Sequence, residues 1–110
     1  MELLYASEKL ASAVSYAIGS TESLQERLKG CYAYFHTLDH PGHLPSDLQA
    51  RFDAMIQAFT RESDPTGKRG LVAATVDKMD DEEARRWLEE ILSLYTEVET
   101  RIAGNMVPAS

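Results

Sequence analysis

Apolar residues return every three or four positions over most of this chain, which is the period of helices with one buried face. Leu3, Ala6, Leu10, Ala13, Val14, Ala17 and Ile18 draw the first such stripe and predict a helix over 2–18, stopped at Gly19. Its apolar face is built mostly of small side chains, so a neighbouring helix can approach closely. Ser23 followed by Glu26 has capping-box spacing, and Leu24, Leu28, Cys31, Phe35 and Leu38 carry one stripe through a second helix over 23–39, ahead of Pro41 and Gly42. Pro45 and Ser46 open a third helix over 46–60, whose inner face is Leu48, Phe52, Met55, Ile56 and Phe59.

The run from Thr60 to Gly70 holds Pro65, Gly67 and Gly70 among polar neighbours and reads as an exposed loop. Val72, Thr75 and Val76 would suit a strand, but no partner strand exists, so residues 70–78 are predicted as a short helix. The last helix, over 81–103, is the best signalled. Asp80 serves as N-cap, Glu83 completes a capping box, Met79 can staple against Ala84, and Gly104 is the stop. Ala84, Trp87, Leu88, Ile91, Leu94, Tyr95, Val98 and Ile102 fall on an arc of about 120° at 100° per residue. The pattern predicts an all-α fold, a single helical bundle of four main helices plus one short helix, forming one domain over 1–110.

The block Ala73 to Tyr95 (AATVDKMDDEEARRWLEEILSLY) resembles a group of small bacterial helical proteins of unassigned function. The resemblance spans about a fifth of the chain, implies a bacterial, cytoplasmic origin and carries over no functional residue.

Composition narrows the picture. At 44% hydrophobic and 26% charged residues, the 110-residue chain is too apolar for a disordered protein and long enough for one core. One cysteine cannot form an internal disulfide, and the N-terminus lacks the charged and apolar regions of a signal peptide, so a cytoplasmic location is expected. No apolar run reaches the roughly 20 residues of a membrane span. The net charge of −7 argues against binding nucleic acid through its phosphates. Residues 80–103 carry −5 of it, with eight acidic residues against Arg85, Arg86 and Arg101.

The three histidines sit together in His36-Thr-Leu-Asp39-His40-Pro-Gly-His43. His36 and His40 have the i, i+4 spacing of two ligands on one helical face, with Asp39 or His43 as a third, so a metal site is conceivable. Against it, His40 precedes a proline and both imidazoles project to the polar side, where a solvated helix end favoured by the helix dipole is the plainer reading. Cys31 lies on the apolar stripe and reads as core, with His36 about 140° away around the helix and out of reach as its base.

The acids of the last helix pair at i, i+4 as Glu82–Arg86, Arg85–Glu89, Arg86–Glu90 and Glu97–Arg101, the pattern of a solvated face rather than of acid/base catalysis. Gly67-Lys68-Arg69-Gly70 lacks the full phosphate-loop pattern and reads as a surface turn. Opposite the apolar face of the first helix, Tyr5, Lys9, Ser12 and Tyr16 form a second stripe. It suits packing within the fold, a protein partner or a homodimer through the first helix.

With no catalytic or cofactor motif, the reading these features support is a non-enzymatic interaction or regulatory module, such as an adaptor, inhibitor or antitoxin-like protein. It would offer Tyr5, Lys9 and Tyr16 on one helix and Glu89, Glu90 and Glu97 on another to a protein partner or a second copy. A metal-binding or metal-sensing protein using the histidine cluster and an acidic mimic of nucleic acid are the alternatives.

Overall fold

The computed structural model describes residues 3–39, 42–62 and 70–106. Five α-helices, α1 (Leu4–Gly19), α2 (Leu24–Phe35), α3 (Ser46–Phe59), α4 (Leu71–Val76) and α5 (Asp81–Met106), and one 3-10 turn (His36–Asp39) account for the described regular structure, with no strand among those residues. The fold is the all-α bundle that the periodicity predicts. No helix is long and apolar enough to cross a membrane among the described residues.

Local caps start two of the helices where expected. The Glu26 amide donates to Ser23 Oγ at 3.1 Å, and the Glu83 amide donates to Asp80 Oδ1 at 2.8 Å. α4 instead begins after Gly70, whose φ of +82° lies in the left-handed region that favours glycine. The last helix runs through Gly104, its expected stop, to Met106. The second helix departs from its expected 23–39 span. It ends at Phe35 and the chain tightens into the 3-10 turn, a common way of closing a helix that must turn away.

α1 and α2 form an antiparallel hairpin. Ala6, Leu10 and Ala13 face Leu28, Cys31 and Phe35 in a single core that α3, α4 and α5 close with Leu48, Phe52, Met55, Val76, Ile91, Leu94 and Val98. Phe35 meets Phe52 edge-on at 5.4 Å, and Phe59 meets Trp87 edge-on at 5.8 Å. Buried Thr75 accepts the Glu62 amide at 3.0 Å, tying the exit from α3 to α4. Gln49 donates to the Leu38 carbonyl at 3.1 Å, fixing the 3-10 turn onto α3.

α3 runs antiparallel to α5, joined by three arginine–carboxylate forks. Asp47 binds Arg101 at 2.5 and 2.9 Å, Arg51 binds Glu90 at 2.8 and 3.2 Å, and Arg61 binds Glu83 at 2.5 and 2.7 Å.

Candidate interaction surface

α1 presents three faces, and their contacts decide what remains for a partner. Its core face is Ala6, Leu10 and Ala13. The Tyr5, Lys9 and Tyr16 stripe packs within the molecule. Tyr5 shares a hydrogen bond of 2.7 Å with Thr37 Oγ1, lays its ring 4.6 Å from His43, and holds Lys9 Nζ 5.3 Å from its ring centre. Tyr16 lies against Gly30 of α2, with its ring 5.7 Å from that of Tyr34. Both tyrosines are half-buried, so most of their capacity for contact is already used on α2 and the turn beyond it.

Among the described residues, His36 and His43 do not come together as ligands. His36, in the 3-10 turn, has its ring 5.8 Å from that of Tyr32, and His43 is engaged by Tyr5. His40 lies outside the described residues, as do Gly67, Lys68 and Arg69. Among the described residues no three His, Cys, Asp or Glu side chains come together as a metal site, Asp39 included.

The α5 carboxylates are largely matched by arginines. Glu90 takes Arg51 from α3, not Arg86 as its helical spacing suggests, because the antiparallel neighbour brings a two-pronged guanidinium to it. Glu82 takes Arg85 at i, i+3 instead of Arg86. Glu89 takes Arg85 and Glu97 takes Arg101, as expected from spacing. The row Glu83, Glu90, Glu97 is therefore lined by Arg61, Arg51 and Arg101 and does not form a bare acidic stripe.

Cys31 is buried, donates its thiol to the Ala13 carbonyl at 3.4 Å, and is pushed up to about 12 by desolvation, which keeps it protonated.

The third face of α1 is the one left open. Ser7 bonds to Glu99, and Val14 and Ile18 share a groove with Leu88 and Leu92, so α1 and α5 lie antiparallel side by side. Along this seam Ile18 is 78% exposed, Leu4 61% and Leu92 49%. Between Ile18 and Leu92 the surface dips into a groove of about 270 Å³, floored by Val14, Ala17, Cys31, Leu88 and Ile91 and rimmed by Arg27, Arg85 and Glu89. Arg27 donates from Nε to the Glu22 carbonyl at 2.8 Å, and its terminal nitrogens make no bond among the described residues. An apolar floor under a charged rim is the composition of a contact surface.

No protein-family model matches this sequence, no curated protein matches it, and no solved structure matches its fold.

Sequence periodicity places Ile18 on the core stripe and passes over Leu4 and Leu92. The available signal was a second apolar fringe: Leu4, Ala11 and Ile18 recur every seven residues, and Leu92 follows Leu88 by four.

Proposed function

We propose that this protein acts by contact, as a non-enzymatic protein-interaction module whose docking face is the seam between α1 and α5. The observation that carries the reading is Ile18, a large aliphatic side chain held 78% exposed at the lip of an apolar groove, with Leu92 on the opposite lip. Isolated exposed aliphatics are ordinary, but several along one helix pair, over a groove, are the signature of a surface that works covered. The binding role falls on this seam rather than on the Tyr5 and Tyr16 stripe or the acids Glu89, Glu90 and Glu97. Of those residues only Glu89 lies on its rim.

The test is Ile18→Glu. Folding should be unaffected, within about 0.5 kcal/mol, because the side chain is solvent-exposed. Association of the protein, with itself or with another protein, should be lost. Unchanged association by the variant would remove the seam from consideration.

A further inference from the structure

We propose that the occupant of the α1–α5 seam is a second copy of this chain, docked across a two-fold axis near Ala11. The proposal rests on the seam being an interface, and adds what covers it.

A two-fold interface must be self-complementary: each residue in one half of the face must suit a residue in the other half. The outer edge of α1 has this property. Leu4 and Ile18 stand seven residues either side of Ala11, so an axis there sets Leu4 of each copy against Ile18 of the other. The middle of the edge is Ser7, Ala11 and Ser15, small enough for the two α1 helices to approach at the short end of the usual 8–10 Å.

Charge follows the same inversion. Glu8, exposed, lies in the Leu4 half of the edge, whereas Arg27 and Arg85 rim the groove in the Ile18 half. Arg85 is held between Glu82 and Glu89, so the open charge on that rim is Arg27, whose terminal nitrogens make no bond among the described residues. A two-fold axis brings Glu8 of each copy to Arg27 of the other, twice per dimer. Docking the copies head to head would instead oppose like charges.

The size of the face sets the strength. From Leu4 to Ile18 is about 21 Å, and two helices side by side are about 20 Å wide, giving about 400 Å² per copy and about 800 Å² in total. That is below the roughly 1,200 Å² of stable specific interfaces and in the range of weak encounters, so the dimer should be weak and concentration-dependent.

Sedimentation equilibrium on the full chain across a concentration series tests this, with circular dichroism confirming that each variant folds. Wild type should show a monomer–dimer equilibrium, and Ile18→Glu should weaken it by about 100-fold or more. Glu8→Arg alone and Arg27→Glu alone should each weaken self-association about tenfold, because each opposes like charges twice. Mixing the two variants should restore dimer, since every cross-copy pair then has opposite signs, an outcome that a change within one copy would not produce. A wild type that stays monomeric throughout, or a mixture no better than its components, overturns the proposal. If a monomeric wild type nevertheless binds a different protein and loses it on Ile18→Glu, the second copy is overturned while the interaction reading stands. If neither association occurs, both fall.

Discussion

Gly30 of α2 leaves open the space that the ring of Tyr16 fills: a Cβ at position 30 would stand 2.1 Å from Tyr16 Cε2 and 2.6 Å from its hydroxyl oxygen. Glycine inside a helix costs about 1 kcal/mol relative to alanine, so its presence here reflects the close approach of α1 and α2 rather than local preference. Gly30→Ala should therefore destabilise the protein by about 1–2 kcal/mol, because the ring must leave its place beside Tyr34. In a Tyr16→Ala background the same change should stabilise by about 0.5–1 kcal/mol, the helix propensity alone. Urea unfolding of the four proteins measures the cycle, and additive effects would mean that the two residues do not share this space.

Glu90 offers a second cycle, between two candidate partners. Arg51 reaches it with both prongs from α3 and also donates to Ser93 at 3.0 Å, whereas Arg86 is its neighbour on α5. The pair is only partly shielded, so its coupling should be about 1 kcal/mol. Arg86→Ala combined with Glu90→Ala should show coupling below about 0.3 kcal/mol, the level of independent sites. Thermal unfolding at low salt resolves the difference, and equal couplings would contradict the observed choice of partner.

These two cases mark where sequence reasoning reaches and where it stops. Ser23 with Glu26, Asp80 with Glu83, and the apolar arc of α5 act within one or two helical turns, so their spacing along the chain is already their geometry in space. Glu90 with Arg51 is separated by 39 positions and Tyr5 with Thr37 by 32, and both depend on how antiparallel helices register. Helical spacing supplied Glu90 with a wrong partner, Arg86, because intrahelical neighbours are visible in a sequence and neighbours across a bundle are not. The Tyr5 stripe was legible as a stripe, but its target, the turn around Thr37 and His43, required α2 to end at Phe35. The exposed seam was hardest to see, since Ile18 sits at helical spacing from true core residues and only the position of α5 leaves it uncovered.

Cys31 allows the core to be probed directly. Its thiol is buried beneath the seam, bonded to the Ala13 carbonyl and held protonated, so a disulfide reagent at neutral pH has neither access nor thiolate. Modification of native protein should be slow and should accelerate in urea in step with unfolding. Fast labelling in buffer without denaturant would show that the α1–α2 contact opens without global unfolding.

The fork between Asp47 and Arg101 predicts a pH dependence with a definite sign. The guanidinium hydrogen bonds hold the Asp47 carboxyl at about 2, below its ordinary value of 3.8, against a smaller opposing effect of desolvation. A depressed folded-state value means that the unfolded chain binds a proton more readily than the folded one. The contribution is therefore fully present above about pH 4, declines as pH falls from the ordinary value towards the folded one, and is gone below about pH 2. The hydrogen bonds from Arg61 and Trp87 to Glu83 lower that carboxyl as well, so the other end of the α3–α5 contact weakens in the same direction. Asp47→Asn isolates the first effect. Its melting temperature should lie below that of wild type at pH 6, and the two should converge as pH is lowered from 4 towards 2. Because Asp47 is exposed, added salt at pH 6 should also narrow the gap. A gap that is constant with pH would assign the loss to the helix start at Asp47 rather than to its ion pair with Arg101.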